Sequence, residues 1–176
     1  QCRVDALVFP KIESAAELDS LAAQTDLPLI AMIETPAGLY AAREIAAHPS
    51  LVGLIAGTND IAADTGIRPG PKREGLELAL QTIILAAAAA RKPAFDGVCN
   101  RLDDMDGLEA ECRQGRCYCF TGKTLSHPNQ IAIANAAFSP TLEEMADARE
   151  LVAAAKGGAQ RFQGRMIESM HVEEAY

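Results

Sequence analysis

The chain has 176 residues, 49% hydrophobic and 23% charged, with a net charge of −8 and a pI near 4.9. That is enough apolar material for a packed core, which argues against disorder, and the acidic balance argues against nucleic acid as the main partner. The longest uncharged apolar stretch, LALQTIILAAAAA, is shorter than a bilayer span, and the N-terminus does not resemble a signal peptide, so a soluble cytoplasmic protein with no membrane partner is expected.

Short apolar runs alternate with helical patterns along the chain. DALVF (5–9) precedes SAAELDSLAAQ, where Ser14 and Glu17 have capping-box spacing. LPLIAMI (27–33) precedes AGLYAAREIAAH, which stops before Pro49. LVGLIAG (51–57) leads through a short DIAAD turn to a long helix, KREGLELALQTIILAAAAARK. PAFDGVC (93–99) leads to LDDMDGLEAECRQG, and CYCFTG (117–122) to HPNQIAIANAAF. Five apolar strands, each followed by a helix, predict a parallel α/β sheet with helical cover over residues 1–137. The tail does not repeat this unit. FSPTLEEMADARELVAAAKGG predicts a helix of about fifteen residues with an N-cap signal and two closing glycines. AQRFQGRMIE and a final helix, SMHVEEAY, follow, so residues 138–176 are expected to form a helical cap or to reach a neighbouring subunit.

Two parallel architectures compete: an open doubly wound sheet, complete with five strands, and a (β/α)8 barrel, three units short. Polar or glycine-rich residues close nearly every strand: Lys11 and Glu13, Glu34, Thr58 to Asp60, Asp96, and Gly122 with Lys123. A barrel builds its active site there from several strands, whereas a doubly wound sheet gathers chemistry at one switch point, usually after a glycine-rich first turn. The first turn here is PKIES, without glycine, which favours a partial barrel.

Glu34 ends the second strand and Asp60 follows the third, 26 residues later, so both stand at the same end of consecutive strands. Two hard oxygen donors of this kind suit Mg2+, which takes one or two carboxylates and fills its octahedron with water and substrate oxygens. The alternative is a Glu34 paired with an arginine and an Asp60 that caps its turn. FTGKT is not a phosphate loop, because six residues separate Gly115 from Gly122 where the Walker pattern has four. His127 and His48, each before a proline, read as helix-end residues, and IRPGPKR (Arg68, Lys72, Arg73) reads as a solvated loop ahead of a phosphate grip. The five cysteines, Cys2, Cys99, Cys112, Cys117 and Cys119, include no C-x-x-C and are expected to be buried free thiols in a reducing compartment.

Taken together, PKIES, IETPAGLYAAREIA, GTNDIAADTGI, DGV and GKTLSHPNQI resemble the citrate lyase beta-subunit family, the HpcH/HpaI aldolase group of pyruvate-utilising barrel enzymes. The resemblance runs from about Asp5 to GRMIE. It implies a (β/α)8 TIM barrel of the phosphoenolpyruvate/pyruvate type, of which strands four to eight are present. The expected activity is a Mg2+-dependent carbon–carbon lyase for a short hydroxyacyl thioester carried by coenzyme A or an acyl-carrier protein. Glu34 and Asp60 fall on the family's metal-ligand positions. The turn Thr35-Pro36-Ala37-Gly38 and Thr58 with Asn59 are expected to bind substrate, the former at a helix N-terminus. The family's enolate-supporting arginine lies on an early strand ahead of DALVFPK, so the chain is expected to be a fragment or to receive that part otherwise. After MI the family generally has Asp, which in several members acts as acid/base in the neighbouring subunit's site; here it is Glu168, one methylene longer. A homotrimer or higher oligomer is expected. A pyruvate-releasing class II aldolase, a malyl-thioester thioesterase and a non-catalytic subunit of a lyase complex are the alternatives.

Overall fold

The computed structural model describes residues 4–174, which fall into two compact units divided between Phe138 and Ser139. In the first, β1 (Leu7–Phe9), α1 (Ala15–Ala22), β2 (Leu29–Ile33), α2 (Pro36–Ala47), β3 (Leu51–Ala56), α3 (Thr58–Thr65), α4 (Glu77–Ala89), β4 (Ala94–Asp96), α5 (Met105–Cys117) and β5 (Gly122–Lys123) follow one another. A 3-10 turn, Pro128–Gln130, leads into α6 (Ile131–Phe138).

The strands lie in the order β1-β2-β3-β4-β5, every neighbouring pair parallel. Chain order and spatial order coincide, so the sheet has no reversal and no switch point, unlike a doubly wound sheet. Unbroken βα succession in one direction is the winding of a (β/α)8 barrel, and the unit is five such steps. Leu29, Ala31 and Ile33 of β2 and Leu51, Leu54 and Ala56 of β3 are buried in one apolar cluster with Ile45 of α2 and Leu80 and Ile83 of α4. Burying each of these leucines and isoleucines stabilises by about 1.5–3 kcal/mol, so the centre of the sheet is fixed chiefly by β2 and β3. A smaller cluster, Cys99, Leu108, Cys112 and Ala134, seats α5 and α6.

Four expectations need correcting. The fifth strand does not begin at Cys117. That residue closes α5, and Cys119 at φ 73° turns the chain, leaving β5 with only Gly122 and Lys123. Cys117 and Cys119 are consequently exposed, while Cys99 and Cys112 are buried; Cys2 lies outside the described residues. DIAAD is part of a helix, α3, not a turn. The long helix starts at Glu77 instead of Lys72, because the chain turns at Arg73 (φ 61°) and Gly75 (φ 89°).

The second unit contains α7 (Leu142–Ala154), the antiparallel pair β6 (Gln160–Phe162) and β7 (Arg165–Ile167), and α8 (Ser169–Glu174). Thr141 and Glu144 form a reciprocal capping box at the start of α7. The two-residue hairpin loop, Gln163 and Gly164, has φ of 45° and 84°, the positive pair that a twisted hairpin requires. Gln163 Nε2 also donates to Glu150 Oε2 of α7 at 2.9 Å. Among the described residues no helix is long and apolar enough to cross a membrane.

Candidate metal centre and the charge network beside it

Ile33 of β2 pairs with Ala56 of β3, so the residues that follow them, Glu34 and Gly57, leave the sheet at one level. Glu34 is only 7% exposed. It crosses directly over Gly57: a Cβ there would stand 2.2 Å from Glu34 Cβ and 2.6 Å from Oε2. Glycine is needed at this point for close approach. Asp60 is the third residue of α3, within the first turn.

Both carboxylates meet Lys11, in the loop that follows β1. The Lys11 N–H donates to Glu34 Oε1 at 2.8 Å, and Lys11 Nζ stands 2.7 Å from Asp60 Oδ2. Burial pushes the Glu34 carboxyl above its ordinary pKa, the Lys11 amide opposes this, and Asp60 adds to the rise. The Asp60 carboxylate holds the Lys11 ammonium above its ordinary value. Neither alternative expectation is met: Glu34 takes a backbone amide, not an arginine, and Asp60 takes an ammonium. The structure therefore brings together two carboxylates with one lysine between them. Among the described residues no group of three or more His, Cys, Asp or Glu side chains assembles for a metal. A pair of hard oxygen donors, one buried and one half-exposed, fits an ion such as Mg2+ that needs few protein ligands.

The residues expected to bind substrate divide. Thr35 Oγ1 accepts the Gly38 N–H at 3.0 Å, capping α2, and Pro36 has no N–H. Thr35 and Gly38 are thus occupied with the helix, and the exposed Ala37 is the residue whose amide remains at that N-terminus. A side chain at Gly38 would meet Ile12 O at 2.6 Å, which ties the start of α2 to the loop carrying Lys11. Thr58 is buried, 7% exposed, and its Oγ1 packs where a Cβ on Gly97 would lie, at 2.4 Å. Asn59 and Asn100 exchange amide hydrogen bonds of 3.3 and 2.7 Å. A cavity of about 280 Å³ opens between them, lined also by Arg73, Val98 and Arg101; neither Glu34 nor Asp60 lines it.

Beside this cavity lies a cluster the sequence did not announce. Arg73 Nη1 donates to both oxygens of Asp96 at 2.7 and 2.8 Å. Lys123 Nζ donates to Asp96 Oδ2 at 3.2 Å, to Glu111 Oε1 at 2.7 Å and to Gly97 O. Arg73 Nε donates to Gln114 Oε1 at 2.9 Å. Arg73 is therefore no part of a solvated loop: it is 5% exposed, and Asp96 is fully buried. The signal was present only as Asp96 and Lys123 closing β4 and β5; nothing local marks Arg73 as their partner. His48 ends α2 as expected, and His127 caps the 3-10 turn by accepting the Asn129 N–H. Buried Gln130 bonds Ser126 N and Cys99 O. Glu168, in the second unit, is half-buried, and its N–H donates to His171 Nδ1 at 3.0 Å.

Fold and site together define a barrel-type α/β protein with an acidic pair at the C-terminal ends of neighbouring strands. Residues 1–128 match the HpcH/HpaI aldolase/citrate lyase family, and the chain belongs to it. It is 43% identical to a (3S)-malyl-CoA thioesterase of Cereibacter sphaeroides over 99% of this chain and 64% of that protein. It is 30% identical to the mitochondrial citramalyl-CoA lyase of Rattus norvegicus, over 99% of this chain and 60% of that one. The solved structure of the CitE protein of Mycobacterium tuberculosis, in complex with magnesium, acetoacetate and coenzyme A, superposes with a TM-score of 0.84 at 33% identity, covering 97% of this chain and 66% of that one. The chain thus spans less than two thirds of the length of these relatives.

Proposed function

We propose that this chain provides the metal-binding part of a Mg2+-dependent carbon–carbon lyase. Its substrate would be a short hydroxyacyl thioester of the citryl-, malyl- or citramalyl-CoA type, cleaved to an acyl thioester and an oxo-acid. The observation that carries the reading is the convergence of Glu34 and Asp60 from the ends of β2 and β3, in a family whose solved member binds magnesium and coenzyme A. Glu34 and Asp60 would hold the ion. When bound, Mg2+ supplies Lewis acidity and a template for the vicinal oxygens of the oxo-acid half.

The chain's own groups do the rest. The Lys11 amide and the bare face of Gly57 fix the rotamer of Glu34. The Ala37 amide, at the positive end of α2, faces the anionic end of the acid. Thr58 and Asn59 form the wall toward the acyl side. Glu168, offered to the site of a neighbouring copy in a homotrimer or larger assembly, would hold the proton that the acyl carbon takes up after cleavage.

Hydrolysis of malyl-CoA is a second reading, favoured by the 43% identity to a thioesterase. The same groups would then act on the thioester carbonyl. Mass-spectrometric product analysis separates the two, using citryl-, malyl- and citramalyl-CoA with Mg2+, with and without EDTA. Metal-dependent appearance of a shorter acyl-CoA and an oxo-acid supports the lyase, and free coenzyme A with intact malate supports the thioesterase. Metal-independent turnover overturns both.

A further inference from the structure

Lys11 has a φ of 52°, in the left-handed region where a Cβ is penalised and glycine fits freely. A glycine there would still give its N–H to Glu34, so that contact does not explain the side chain. The side chain itself lies 60% exposed and packs into no core, yet its ammonium is aimed at Asp60 Oδ2, 2.7 Å away. Asp64 and Glu34 add their negative field at the same point. Backbone strain at a strand end facing two carboxylates is the kind of outlier from which a role is inferred. Here the element that the strained position adds is one positive charge.

We propose that Lys11 is a built-in counter-cation for the Glu34–Asp60 pair, which neutralises Asp60 while the divalent ion is absent and releases it when the ion binds. The inference rests on the metal reading of that pair. Solvent reaches both partners, with side chains 60% and 41% exposed, so the bridge is weak enough to be displaced. The backbone bond to Glu34 survives the exchange and keeps the freed ammonium beside the site, where it becomes a receptor for the anionic end of the acid.

The test is calorimetric titration of Mn2+ into the wild-type protein, K11M and K11R at low ionic strength, together with melting of each without metal. Lys11→Met keeps the side-chain bulk and the amide to Glu34 while removing the charge. It is expected to bind Mn2+ about two- to five-fold more tightly, the range an exposed ion pair supports, while Lys11→Arg stays near wild type. Without metal, K11M should melt below wild type, and the difference should vanish in the D60N background. Wild-type binding that K11M leaves unchanged or weakens overturns the counter-cation. Failure of all three proteins to bind Mn2+ overturns the metal reading itself and the proposal with it.

Discussion

Paired acids stand at the ends of β2–β3 and again at the end of β4, where Glu111 of α5 joins Asp96, yet their charge balance differs. At β4–β5 Arg73 and Lys123 meet Asp96 and Glu111 in a buried setting, half-exposed Arg101 stands 3.7 Å from Glu111 and 2.8 Å from Asp104, and no polar side-chain atom among the described buried residues lacks a partner. At β2–β3 one half-exposed lysine faces Glu34 and Asp60, with Asp64 nearby. A saturated neutral cluster has no spare charge to attract an ion; it acts as scaffold and holds a two-residue strand in register. An under-neutralised pair open to solvent retains an appetite for positive charge. Strand-end position alone therefore does not distinguish site from scaffold, whereas the local balance of charge does.

The largest effect should come from breaking the saturated cluster. Arg73→Met leaves buried Asp96 with Lys123 as its cation, a lysine it shares with Glu111, which keeps Arg101 at 3.7 Å, and urea unfolding is expected to show a loss of about 3–5 kcal/mol. Equal stability would mean the cluster does not hold β4 and β5. At the open pair the loss should appear in binding instead. Glu34→Gln and Asp60→Asn should each weaken Mn2+ affinity roughly tenfold or more, since loss of even a ligand's supporting partner costs about 10–100-fold. Gly57→Ala joins the two readouts. Its methyl would collide with Glu34, so a loss of about 1–3 kcal/mol is expected from overpacking, along with weakened Mn2+ binding.

Most of the first unit was legible because apolar runs and helical periods alternate so regularly, and Glu34 and Asp60 stood out as acids ending consecutive runs. The rest depended on backbone turns and long-range partners that local pattern does not encode. CYCF reads as a strand, but Cys119 adopts a left-handed turn that postpones β5 to Gly122. Arg73 sits among glycine and proline, the composition of a surface loop, and only the fold reveals Asp96 beneath it. Lys11 was visible as a polar strand end, while its grip on both acids depends on a φ that sequence does not display.

The smallest effect reads the scaffold from inside. Burial pushes the Cys112 thiol up to about 11, so it stays protonated at pH 8, and Cys99 is equally buried. Iodoacetamide should label exposed Cys117 and Cys119 first and leave Cys99 and Cys112 protected, as peptide mapping would show. In Arg73→Lys, which keeps the charge but loses the guanidinium's reach, modest labelling of Cys112 is expected; none would mean Lys123 alone secures α5.

The most direct test of the central claim is anomalous diffraction from a crystal soaked in Mn2+. A peak is expected between the Glu34 and Asp60 carboxylates, with the Lys11 ammonium moved off Asp60. A peak at another group of residues, or an undisturbed Lys11–Asp60 bridge at saturating Mn2+, would contradict it.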